Sequence, residues 1–232
     1  MSSEEELLKR LGVTIEPETL RLALTHRSYA YENGGIPTNE RLEFLGDSIL
    51  GFSIAEYLYE SQPHLPEGDL AKRRAAVVST RALATVGRQL GLGQHIYLGR
   101  GEKQSNGANK ASILADTMEA IFGAVYINHG MERAKELILR LVAPMLEDGE
   151  LLGAATDWKT VIQEEAAGGK LGDVLYEVTG TGPDHARSYT ATLWIGEREL
   201  GQGQGPSKKE AEQEAARASW KLMHPNQALP QL

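Results

Sequence analysis

Glu40, Glu43 and Asp47 stand at i, i+3 and i+7 in NERLEFLGDSILG (Asn39 to Gly51), so a helix over this stretch carries all three carboxylates on one face. Leu42, Leu45 and Ile49 fall on a neighbouring apolar stripe. Like charges at these spacings repel, by roughly 0.2–0.5 kcal/mol per pair. A solvated helix face tolerates that cost, and for one acidic triplet taken alone a solvated face is the commoner explanation. A second cluster shifts the balance. In ADTMEAIFGAVY, Asp116 and Glu119 are spaced i, i+3 among Ala115, Ala120, Ile121, Phe122, Ala124 and Val125, a composition that predicts a buried helix. Buried acids must be paired or bind a cation, and the nearest basic residue in sequence, Lys110, lies more than a turn away. Hard oxygen ligands of this kind suit Mg²⁺, with Mn²⁺ as a substitute. Two such helices face to face would make a metal–carboxylate site fit for phosphodiester hydrolysis. A di-iron bundle site would use Glu-x-x-His pairs, and the sequence contains none.

The elements that must position these acids are helical. From about Glu4 to about Met145 apolar residues recur at helical spacing, interrupted by the breaker segments ENGGIP, QPHLPEG and GRGEKQSNG. The pattern fades after Pro144, and residues 148–156 read as a short linker. Beyond it WKTVIQEEAAG predicts a helix closed by glycine. VLYEVTG and SYTATLWIG predict strands, and ELGQGQG a third. Ser207 then opens a last helix, with Glu210 three residues on in a capping-box pattern. Helix, three strands and helix in about 70 residues make a small α+β domain.

Bulk properties narrow the function classes. The chain has 232 residues, 41% hydrophobic and 24% charged, which is ordinary globular composition. The absence of cysteine excludes disulfides, zinc–thiolate sites and thiol nucleophiles. The opening MSSEEELLKR has no basic stretch followed by an apolar run, and no apolar segment reaches about 18 residues. A soluble, cytoplasmic protein with no membrane partner is the expectation. A net charge of −8 disfavours a polyanion as partner unless the acid is concentrated on metal cations and the base is local.

NERLEFLGDS closely resembles the signature stretch of the ribonuclease III family, and LADTMEAIFGAVY its second acidic motif. LTHRSY (Leu24 to Tyr29) resembles the family's opening helix and PEGDLAKRRA (Pro66 to Ala75) its middle segment. The resemblance implies a multi-domain chain: an all-α endonuclease domain over residues 1–147, then a small α+β (α-β-β-β-α) double-stranded RNA-binding domain over residues 157–225. It also implies a homodimer with two active sites along one RNA-binding valley. By the same resemblance, Glu43, Asp47, Asp116 and Glu119 are direct ligands of catalytic Mg²⁺. Glu40 and Glu67 support the metal site and the dimer valley from further out. Each site would cut one strand of double-stranded RNA, leaving 5′-phosphate and 3′-hydroxyl ends with two-nucleotide 3′ overhangs, in ribosomal and messenger RNA processing. Phe44, ordinarily a core residue in a helix, would project into a socket on the other subunit. Lys72, Arg73 and Arg74, a solvated face on spacing alone, would lie where RNA backbone passes. His26, beside Arg27, is expected to be structural rather than a base. Lys110 is a candidate phosphate contact, although its loop is not a P-loop.

The segment from Asp157, with GPDH between two strands and SKKEAEQEAA opening the last helix, resembles a double-stranded RNA-binding domain. Lys208 and Lys209 at a helix N-terminus oppose the helix dipole unless an anion sits there. Gln163 and His185 would face successive minor grooves. Residues 157–224 nonetheless carry eight Lys and Arg against eleven Asp and Glu, so the binding face must be locally basic and its affinity salt-dependent. Residues 226–232 are read as a tail without a role. A double-stranded RNA-binding regulator with an idle helical domain, and a metal phosphohydrolase acting on small nucleotides, remain as alternatives. Only the second should keep its activity when Asp157 to Leu232 is deleted.

Overall fold

The change of sequence rhythm after Pro144 is a change of architecture. A computed structural model describes residues 3–147, 157–183 and 187–225, and these fall into two units, 3–147 and 157–225. The expected linker at 148–156, the tail at 226–232 and His185 lie outside the described residues.

The first unit is helical throughout: α1 (Ser3–Leu11), α2 (Pro17–Ala23), α3 (Arg27–Glu32), α4 (Glu40–Ser61), α5 (Glu67–Val77), α6 (Thr80–Gln89), α7 (Arg100–Gln104), α8 (Ala111–His129) and α9 (Met131–Val142), with short 3₁₀ turns between some of them. Each breaker segment of the sequence falls at a junction: ENGGIP between α3 and α4, QPHLPEG between α4 and α5, and GRGEKQSNG around α7. α8 is the central element. It buries residues on every side, from Ile113 to Val125, and leaves Asp116 and Glu119 only partly covered. α4 packs along it, burying Leu42, Ile49, Leu50, Ile54 and Leu58 in a core shared with Leu83, Met118, Phe122 and Ile138.

Two glycines let these helices touch backbone to backbone. A β-carbon on Gly46 of α4 would stand 1.8 Å from the Glu119 carbonyl oxygen, and one on Gly123 of α8 would stand 2.4 Å from the Leu42 carbonyl oxygen. A helix-interior glycine costs about 1 kcal/mol relative to alanine, and close approach is what that cost makes possible here.

In the second unit, α10 (Trp158–Gly169) and α11 (Lys208–Met223) cover one face of an antiparallel sheet of order β1-β2-β3, spanning Val174–Thr181, Ser188–Ile195 and Arg198–Gly205. The register runs Val174↔Ile195 between β1 and β2 and Tyr189↔Gly205 between β2 and β3, with an irregularity between Thr192 and Trp194. Strand alternation turns Ala191, Leu193 and Ile195 toward the helices, where Trp158 and Trp220 meet at 5.6 Å between ring centroids. On β3 the alternating Gly201, Gly203 and Gly205 face Ser219, Ala215 and Ala211 of α11, and any β-carbon there would lie within 2.8 Å of helix backbone. Ser207 caps α11: its hydroxyl accepts from the Glu210 amide (3.2 Å) and donates to the Glu210 carboxylate (2.7 Å). Among the described residues no helix is long and apolar enough to cross a membrane.

Candidate active site

The Gly46–Gly123 crossing determines where the acids fall. Glu43 precedes Gly46 by one helical turn and Asp47 follows it directly, while Glu119 lies one turn before Gly123 and Asp116 one turn earlier still. Contact between the two backbones therefore brings the acidic faces of α4 and α8 together. Oxygens of Glu43, Asp116 and Glu119 lie within 4.8 Å of one another, and among the described residues no other group of three metal-ligating side chains converges in this way. All three are partly buried, and among the described residues no hydrogen bond or ion pair joins them to a cationic side chain.

Electrostatics follow from that crowding. Burial, and then the charges of Asp47, Asp116 and Glu43, push Glu119 up to about 8. Burial also raises Glu43, with Asp116, Glu40 and Asp47 adding to the effect, and it raises Asp116. Carboxylates that resist ionisation together are a donor set short of positive charge. Half-buried hard oxygens from two rigid helices fit a divalent cation of the Mg²⁺ class.

The other predicted residues are spread more widely. Asp47 is exposed, close enough to act on both Glu43 and Glu119 but outside the tight trio. Glu40, exposed at the start of α4, accepts a hydrogen bond from Thr38 Oγ1 (2.9 Å) and acts on Glu43. Glu67 does not join the cluster within the single chain. It opens α5 and lines a separate depression of about 450 Å³ with Phe52, Leu58, Tyr59, Leu70 and Arg74. Phe44 is not core: it is 78% exposed, as Phe52 (56%) and Tyr59 (75%) are further along α4. Lys72 is exposed and 3.9 Å from Asp69, and Arg73 is partly buried with its Nε unpartnered. Gln163 is exposed on α10, and Lys208 and Lys209 are exposed in the first turn of α11.

His26 is structural, as expected. Its Nδ1 accepts from the Ser28 amide (3.2 Å) and pairs with Ser28 Oγ (2.8 Å), capping α3, while burial lowers its pKa. Lys110 pairs with Glu102 and sits 3.1 Å from Ser105 Oγ. Sequence reasoning missed Gly46 and Gly123, whose signal was glycine inside strongly helical patterns. It also passed over Arg27, which lines the cavity beside the acids.

A helical domain with converging carboxylates, followed by an α-β-β-β-α module, defines an endoribonuclease built for duplex RNA. Residues 16–146 match the Ribonuclease-III-like family model and residues 158–223 the double-stranded RNA binding motif. The chain is 57% identical over 224 residues to Ribonuclease 3 of Mycobacterium tuberculosis strain H37Rv, covering 95% of this chain and 93% of that protein. It is 57% identical over 220 residues to Ribonuclease 3 of Streptomyces coelicolor, covering 95% and 80%. The crystal structure of the nuclease domain of ribonuclease III from Campylobacter jejuni superposes with a TM-score of 0.58 at 39% identity, covering 62% of this chain and 96% of that one. The chain belongs to the ribonuclease III family.

Proposed function

We propose that the chain is an Mg²⁺-dependent endonuclease, with Mn²⁺ as a substitute, that acts as a homodimer on double-stranded RNA. Its products would carry 5′-phosphate and 3′-hydroxyl ends with two-nucleotide 3′ overhangs, and its substrates would include ribosomal RNA precursors and messenger RNA. The observation that carries this reading is the trio Glu43, Asp116 and Glu119, partly buried, converging across a glycine crossing and lacking a cationic partner. With Asp47 these residues would hold the ion. When bound, it neutralises charge on the scissile phosphate and lowers the pKa of coordinated water. Glu40, fixed by Thr38, orients the rim.

The dimer reading rests on α4. Phe44 projects from one face, and the depression lined by Phe52, Leu58 and Tyr59 of the same helix, with Leu70 of α5, begins about 12 Å further along it. A knob and a socket side by side on one surface are self-complementary under a two-fold axis, each knob filling the other's socket. Glu67 lines that socket and Phe44 adjoins Glu43, so Glu67 of the partner subunit would approach the carboxylates. Lys72, Arg73, Gln163, Lys208 and Lys209 are the proposed RNA contacts. All but the partly buried Arg73 are exposed, which suits phosphate and 2′-hydroxyl recognition.

The test is cleavage of a long, uniformly paired RNA by wild type and Glu119→Gln, with Mg²⁺ and with EDTA. Short duplexes from wild type with metal only, and binding without cleavage by the variant, are expected. Binding without cleavage by wild type would make the chain a regulator. Cleavage surviving in Glu119→Gln would put the metal on other carboxylates.

A further inference from the structure

The cavity beside the carboxylates is larger than an ion requires. It encloses about 870 Å³, whereas a water molecule's share of liquid volume is about 30 Å³. Glu40, Glu43 and Asp116 line one part of it, and Arg27, Tyr31 and Lys110 line another. Glu32 and Glu102 also line the cavity, Glu102 paired with Lys110, so its cations stand among carboxylates and Arg27 alone has none bonded to it.

Arg27 is exposed in the first position of α3, and among the described residues it makes no hydrogen bond or ion pair. Its charge is still felt by Glu43 and Asp116, where it opposes the effect of burial. A guanidinium that served only to neutralise these acids would reach them and pair. This one stays in solvent at the mouth of an acidic cavity, and at a helix start, where the dipole disfavours a cation. Lys110 differs in being held in place by Glu102 and Ser105 Oγ. The acids repel a polyanion and the space exceeds one phosphate, so a strand entering the cavity needs positive groups at its flanks.

We propose that Arg27 and Lys110 receive the phosphates adjoining the scissile one on the strand being cut, and so determine which phosphodiester is presented to the carboxylates. Arg27 is suited to bidentate contact with non-bridging oxygens, and Lys110 acts as a fixed point charge. Both are positioning residues. The inference rests on the endonuclease reading, and its test separates the two.

Full-length protein is given duplexes that carry a single uncharged methylphosphonate linkage immediately 5′ or immediately 3′ of the cleavage site, with Mg²⁺. Wild type should cut each of these more slowly than the unmodified duplex, by about ten- to a hundredfold, the factor expected for a lost charge-assisted contact. Arg27→Ala should be slowed by a similar factor on unmodified RNA and show no further loss on one of the two linkages, and Arg27→Lys should recover part of the rate. Lys110→Met should behave in the same way toward the other linkage. The wild-type series needs no substitution, so it decides the matter even if a variant folds poorly. If either linkage leaves wild type unslowed, or if Arg27→Ala keeps full sensitivity to both, the proposal is overturned. If wild type fails to cut unmodified duplex, the endonuclease reading fails and the proposal falls with it.

Discussion

Glu119 shows most directly what it costs to gather acids without a cation. A glutamate in the unfolded chain ionises near its ordinary value of 4.5, whereas burial and its neighbours hold Glu119 protonated up to about 8 in the metal-free fold. Below about pH 4.5 both states keep the proton and the group contributes nothing to the pH dependence. Above 8 both have lost it, and the folded state bears the whole penalty. Metal-free stability should therefore fall as pH rises from about 4.5 to 8. Glu119→Gln should flatten that slope, melting a few degrees above wild type at pH 8 and close to it at pH 5 by scanning calorimetry in EDTA. A divalent cation reverses the preference because it binds the ionised carboxylates. Isothermal titration should thus show Mg²⁺ affinity climbing with pH toward 8, with release of protons. The same substitution that stabilises the empty fold should abolish cleavage.

At the scale of elements, what was legible in the sequence was local. The spacing of Glu40, Glu43 and Asp47 placed them on one face of a helix. The third strand and the capped last helix also stand where turn residues and the Ser207–Glu210 pair put them. What no periodicity carries is which two positions meet. Gly46 and Gly123 are far apart in sequence, and only the cost of glycine inside a helix hinted at a partner. Glu67 belongs to the site pattern by resemblance, yet in the single chain it lines the apolar depression instead; on the dimer reading, completing its role would need a second copy. Paired substitutions test the crossing. Gly46→Ala gains about 1 kcal/mol of helix propensity, but its β-carbon would stand 1.8 Å from the Glu119 carbonyl oxygen. It should lose about 2 kcal/mol or more in urea unfolding and bind Mg²⁺ poorly. Gly51→Ala on the same helix, with nothing within 4 Å, should gain roughly 0.5–1 kcal/mol.

For the whole molecule, two separate apolar cores stand behind the two units, one around Phe122 and one around Trp158 and Trp220. Each should melt as its own transition. Phe44→Asp should halve the mass measured by light scattering and cut duplex cleavage at least tenfold, because a charge in an apolar socket costs several kcal/mol when unpaired. The chain's net charge of −8 confines RNA binding to local basic patches. Filter binding to a duplex should weaken steeply with salt, and each phosphate-contacting lysine removed, Lys208 or Lys209 among them, should lower the log–log slope by about 1.

The contact between α4 and α8 also makes the main chain a gauge of ionic size. Side-chain sites adapt to a larger guest when their supports draw apart, but here the supports already touch at Gly46 and Gly123. Opening them would unpack the centre of the helical unit. An ion bonded at 2.0–2.1 Å, as Mg²⁺ is, and one bonded at roughly 2.3–2.6 Å, as Ca²⁺ is, must share one fixed frame. The larger ion would be accommodated by rotating the carboxylates rather than by moving the helices. On the Mg²⁺ reading, replacing it with Ca²⁺ should therefore slow cleavage of duplex RNA, and discrimination between the two ions would belong to two residues that have no side chain at all.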